Sequence, residues 1–202
     1  MAVGGLLVVA DIAARGVAED QLRQRVVDRV QPDGPVSAQI SSFPFLGRLL
    51  ASGTISQVDV AVRDLTVRGV TFASVGVRLR SVHIDRDSLL DDRRVALRSI
   101  DHGTAVVEIS GSEISRLLGV TVVLEPGQAR VRVGGSLVAV SARVEGSALV
   151  VEAGGLTLPA IEIPPLPLVS CVSGAEILAG RLRLTCEVDQ VPVELAGPSV
   201  PL

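Results

Sequence analysis

The chain has 202 residues, of which 48% are apolar before its 20 glycines are counted; an average soluble domain reaches roughly 45–50% with glycine included. A net charge of −3 and three phenylalanines as the only aromatic residues exclude a nucleic-acid binder, which needs a basic face and stacking rings. This hydrophobicity excludes disorder. The uncharged run from Ile163 to Ala175 is too short and too rich in proline to span a bilayer. A mean hydropathy of +0.50 without a span leaves two explanations: a large core, or a core that also encloses an apolar cavity. All 19 basic residues are arginine, with no lysine or asparagine, which fits a GC-rich bacterial genome.

Residues 11–197 read as one domain, with a short tail at 198–202. Met1 to Ala10, MAVGGLLVVA, is apolar and too short to cross a membrane. It reads either as the first turns of the following helix or as the remnant of a signal or anchor segment. Asp11 to Val30 is the best helix. Ala14, Ala18, Leu22, Val26 and Val30 recur every four residues as one apolar stripe, and Asp11 is placed to cap it. Gln31-Pro32-Asp33-Gly34-Pro35 stops it.

From Val36 the period becomes two. Phe43-Pro44-Phe45-Leu46 interrupts the alternation, and Leu46 to Ala51 reads as a short helix closed by Gly53. In Thr54 to Arg68, Val58, Val60 and Val62 share one face, but Leu65 and Val67 fall on the other parity. Val70 to Ile84 repeats the slip, the pattern expected of β-bulges in a strongly coiled sheet. Asp85 to Arg93 is a charged turn with a possible helical stretch at Ser88 to Leu90. Val95 to Ile109 is a bent strand or strand pair, and Ser112 to Leu118 is a short helix with Ile114, Leu117 and Leu118 inward. A meander follows: strands at Val120–Leu124, Gln128–Val133, Leu137–Val144, Ala148–Ala153 and Leu156–Ile163, separated by glycine turns. Pro164 to Pro167 connects to closing strands at Val169–Val172, Gly180–Asp189 and Val191–Leu195.

No nucleophile elbow, Walker loop or dinucleotide fingerprint occurs. The two histidines, His83 and His102, sit in strand-like runs and read as surface residues. The acidic cluster at Asp85 to Asp92 has Leu90 where a calcium loop needs glycine and Ala96 where it needs glutamate, so it reads as a solvated turn. No metal and no cofactor is expected, and no catalytic residue is singled out. Cys171 and Cys186, the only cysteines, lie on neighbouring strand-like runs. They are either a disulfide, implying an oxidising compartment, or two buried thiols.

The order of parts resembles the LmeA-like phospholipid-binding family of the actinobacterial cell envelope. The resemblance is carried by Ser42-Phe43-Pro44-Phe45-Leu46, by Gly53 to Val62 and by Ile109 to Leu118, and it runs from about Leu7 to Leu195. It implies an α+β fold with a long N-terminal helix packed on a strongly curved antiparallel sheet, a TULIP-like (BPI-like) half-roll. It further implies a non-catalytic lipid carrier on the periplasmic side of the cell envelope, secreted or membrane-anchored, whose partners are phospholipid and the membrane surface, supporting envelope lipid or lipoglycan biogenesis. Acyl chains are then expected between the helix and the sheet, against Leu22, Val26, Val30, Val58, Val60, Val62 and Phe72. Phe43, Phe45, Leu46, Leu49 and Leu50 would form the mouth, and Arg48, Arg23 or Arg25 would meet the phosphate. The same residues also fit plain core anchoring and a solvated arginine surface. Two rival functions remain: a structural envelope domain with a filled core, and a lipid- or glycan-modifying enzyme.

Overall fold

The computed structural model describes residues 2–85, 87, 94–95, 97–133, 135–145, 148–153, 156–157, 161–162, 174–188 and 200–201. It opens with α1 (Ala2–Val30), β1 (Val36–Ser41), α2 (Phe45–Ser52), β2 (Thr54–Val67) and β3 (Val70–Ile84). Then come β4 (Arg94–Val95), β5 (Leu97–Ser110), α3 (Gly111–Leu118), β6 (Val122–Glu125), β7 (Gln128–Val133), β8 (Ser136–Glu145) and β9 (Ala148–Ala153). Short strands follow: β10 (Leu156–Thr157), β11 (Ile161–Glu162), β12 (Gly174–Leu178), β13 (Arg181–Val188) and β14 (Val200–Pro201). The main sheet is open and antiparallel, in the order β1-β2-β3-β5-β13-β12. A second antiparallel sheet runs β10-β9-β8-β7-β6, with β11 also paired to β9, and β14 pairs with β4. The two larger sheets are joined where Gly127 N–H donates to Ile177 O and Gly180 N–H to Leu124 O.

The first helix starts at Ala2, nine residues before Asp11, so residues 2–10 are its opening turns. Asp11 therefore does not cap α1. Its buried carboxylate instead accepts the amide N–H groups of Phe45 and Leu46, at 2.9 and 2.7 Å. Those are orphan donors at the first turn of α2, whose own N-cap, Pro44, supplies no side-chain acceptor. A side chain from mid-α1 thus does the capping of α2 and pins the two helices together. Gly53, at φ 66°, ends α2 in the left-handed conformation the sequence calls for. At α3 the cap is local: Ser110 Oγ accepts from Glu113 N–H, while the Glu113 carboxylate reaches Thr71 N–H at 2.8 Å.

The phase slips are real but are not bulges. Val62 and Leu65 are both buried, and they face Val75 and Phe72, also both buried. The β2–β3 register is the same on either side. Residue pairs on both strands change face together. The same happens at a second line, where Ile55 and Val58 face Val82 and Leu79, and Ile100 and Gly103 continue it on β5. Two non-glycine residues in the left-handed region, Asp64 and Ser81 (φ 50° and 49°), sit at these lines. The strands therefore turn in concert along lines crossing the sheet. A register shift does occur on the β3–β5 ladder, between His83 and Ile84.

The core forms two clusters along the apolar side of the main sheet. One gathers Val62, Leu65, Phe72, Val107, Ile109, Ile114 and Leu184, with Val26 and Val30 of α1 packed on it. The other gathers Ile40, Phe45, Val58, Val77, Leu79 and Ala105, with Ala14, Ala18 and Leu22 packed on it. Strand β12 was not anticipated, because GAEIL shows too little alternation. The expectations for Ser88–Leu90, Pro164–Pro167, Val169–Val172 and Val191–Leu195 lie outside the described residues.

Candidate functional site

The twelve apolar residues expected to meet acyl chains fall into three groups. Phe45, Val58, Val62 and Phe72 are buried, Phe72 completely. Leu22, Val26, Val30, Leu46, Leu49 and Val60 are half-buried and packed against the two clusters. Phe43 and Leu50 are exposed, at 67% and 48%. The structure thus places ten of them in or against the two core clusters and leaves two exposed. Val8, Val9 and Ile12 of α1 are also exposed, within a turn of the Asp11 contact to α2.

The three arginines expected at the phosphate do not share one element. Arg23 pairs with Asp20 one turn back at 2.9 Å, and Arg25 is exposed on the same helix. Arg48, on α2, donates to Ser56 Oγ.

A cavity of about 870 Å3 lies elsewhere, on the polar side of the main sheet. Its strand residues come mostly from the parity opposite the core. The β3–β5 register sets Arg80 beside His102, Arg78 beside Thr104 and Gly76 beside Val106. The β2–β3 register adds Asp59 beside Arg78 and Ala61 beside Gly76. Arg15 and Glu19 of α1 form the rim. Asp59 binds Arg78 Nε and Gln57 Nε2, each at 2.6 Å, and Glu19 accepts the Ile40 N–H at 2.7 Å. Sequence reasoning missed this group. The available signal was Arg-x-Arg at 78 and 80 with Gly76 two residues before, inside a valine-rich strand.

Strong electrostatics elsewhere are structural. The Glu108 carboxylate takes both Arg181 and Arg183, at 3.0 and 2.9 Å, and the Arg183 hydrogen bond holds it below the usual carboxylate value, against the opposing effect of burial. Glu113 is lowered in the same way by Arg116, again against burial, with Thr71 N–H assisting. His83 lies between Thr54 Oγ1 (3.5 Å) and Asp101 Oδ1 (3.1 Å). That order imitates a hydrolase triad, but Asp101 is exposed and the Thr54 hydroxyl also faces Ser52 O. A working triad buries its carboxylate behind the histidine. Among the described residues no cluster of three or more His, Cys, Asp or Glu could hold a metal, and no helix is long and apolar enough to cross a membrane.

The sequence profile of the LmeA-like phospholipid-binding family matches residues 9–195. The chain belongs to this family. No curated protein and no solved structure matches it. The match takes in α1 from Val9 onward, the whole main sheet and the meander of the LmeA-like fold. Membership in this family supports a lipid-binding role, with phospholipid as the partner.

Proposed function

We propose that the protein is a non-catalytic phospholipid carrier of the bacterial cell envelope, working on its periplasmic side or secreted, in support of envelope lipid or lipoglycan biogenesis. The family match carries this reading. Acyl chains take the seam between α1 and the apolar side of the sheet. What supports it is the stripe of half-buried Leu22, Val26 and Val30, which packs along both core clusters. A guest chain inserted there would exchange helix contacts for its own, at about 0.8 kcal/mol per buried methylene. The exposed end formed by Phe43, Leu50, Val8, Val9 and Ile12 meets the membrane surface during loading. Cys186 is disulfide-bonded, and the chain's other cysteine, Cys171, lies outside the described residues; pairing of the two is the reading we adopt, in keeping with an oxidising compartment. Counting thiols in denaturant without reductant should give none, and two would refute the bond.

Native mass spectrometry of protein purified from a bacterial host tests the carrier. Adducts of phospholipid mass are expected, and delipidated protein should regain them from vesicles. Delipidated protein that takes up nothing would overturn the reading. A second reading, a structural envelope domain, is favoured by the tightness of the clusters, in which Phe72 and Ala105 have no exposed surface. A melting temperature that does not move with added lipid would favour it.

A further inference from the structure

We propose that the polar cavity is a binding site for a phosphate ester, with Arg78, Arg80, His102 and Thr104 as its donors. On one strand Arg78 and Arg80 are two residues apart, so their side chains leave the same face about 7 Å from one another. Their partners across the ladder, Thr104 and His102, stand about 5 Å away. Two guanidiniums, an imidazole and a hydroxyl therefore mark the corners of a patch the size of a tetrahedral anion. All four can donate to phosphate oxygens, and the guanidinium fork matches two of them at once.

The neighbouring carboxylates do not cancel these donors. The hydrogen bond between Arg78 and Asp59 uses Arg78 Nε, and Arg78 lines the cavity. Glu19 is held by the Ile40 amide. The Arg80 side chain is exposed and makes no hydrogen bond or ion pair among the described residues. Beyond the donors the floor is the row Ala61, Gly76 and Val106. A Cβ added to Gly76 would meet nothing closer than Val106 O at 3.9 Å, so packing does not require glycine there. Its effect is space, enough beside the phosphate for a glycerol or sugar body. The volume of about 870 Å3 is in the range of small-molecule sites.

The ligand is thus a phosphate carried on a small polar body. It is either the headgroup of a lipid or a free phosphate ester; the lipid source rests on the carrier reading, the free ester does not. Titration calorimetry at low salt with sn-glycerol 3-phosphate, and separately with a short-chain phosphatidic acid, separates the two. Binding of at least one probe is expected, weakened tenfold or more by Arg80→Ala and by Gly76→Leu, with melting temperatures unchanged. Gly76→Ala, a smaller filling, should weaken it less. Binding of the phosphatidic acid alone assigns the headgroup, and binding of both assigns a site that a free ester suffices to fill. No binding of either probe, or equal binding by Arg80→Ala and Gly76→Leu, overturns the site. Lipid uptake from vesicles that survives that result leaves the carrier standing. Glycerol phosphate binding that depends on Arg80, in protein that takes up no lipid, keeps the site and removes the carrier.

Discussion

Asp11 shows how one side chain can carry a contact between elements. Its carboxylate is buried and accepts two backbone N–H groups that α2 cannot satisfy itself. An alanine there leaves both donors without a partner in a buried place, which costs about 1–3 kcal/mol. Asp11→Ala should therefore lower stability by about 2 kcal/mol in urea unfolding, and Asp11→Asn, which keeps one acceptor, by less. Glu108 acts through charge as well. Its pKa lies below the ordinary 4.5 because it accepts from Arg183 and Arg181, so the folded state favours the carboxylate. The stability it contributes is present above that ordinary value and is lost as pH falls through the lowered folded value. Glu108→Gln should cost about 1 kcal/mol at neutral pH, given how exposed the two arginines are. The gap from the parent should close on acidification from about pH 4.5 downward, as followed by thermal melts across pH.

At the scale of elements, periodicity carries far. The stripe from Ala14 to Val30 and the short helix closed by Gly53 follow from local spacing and form as read, while the Ser110 cap on Glu113 N–H appears only in the structure. What spacing does not reveal is which partner a residue meets. Asp11 looks like a cap for its own helix because an acid before an apolar stripe usually is one. Only the tertiary fold shows that it serves another. The parity slips were visible, but a single strand cannot tell an inserted residue from a turn shared with its neighbours; the ladder register decides that. Nor does sequence tell that Arg78, Arg80, His102 and Thr104 meet, since their proximity comes from strand pairing alone. The shared turns make a prediction. Ser81 lies at φ 49°, where a β-branched side chain clashes with its own backbone. Ser81→Val should destabilise by about 2 kcal/mol, while Ser81→Gly should be neutral or mildly stabilising, measured by chemical denaturation.

At the scale of the whole molecule, the apolar excess has two destinations. Much of it fills the two clusters, and part of it is exposed: Phe43, Leu50, Val8, Val9 and Ile12 around the contact between α1 and α2, with Val17, Val27 and Leu137 exposed elsewhere. Of the three phenylalanines, Phe45 and Phe72 are buried and Phe43 alone stands in solvent. Buried rings stabilise a fold; an exposed one next to exposed aliphatics adds nothing to folding and contributes to binding only if something apolar covers it. The membrane contact proposed for loading supplies such a cover. Burying a side chain of this size is worth about 1.5–3 kcal/mol, so losing two of them should weaken vesicle association at least tenfold. Phe43→Ser with Leu50→Ser should therefore lower co-sedimentation with phospholipid vesicles by that factor and slow lipid uptake. The melting temperature should hold, because neither side chain is part of a core cluster. Unchanged co-sedimentation would place the membrane contact elsewhere on the molecule. An unchanged partition with slower uptake would instead assign Phe43 and Leu50 to the mouth of the seam, where a chain passes rather than where the protein rests.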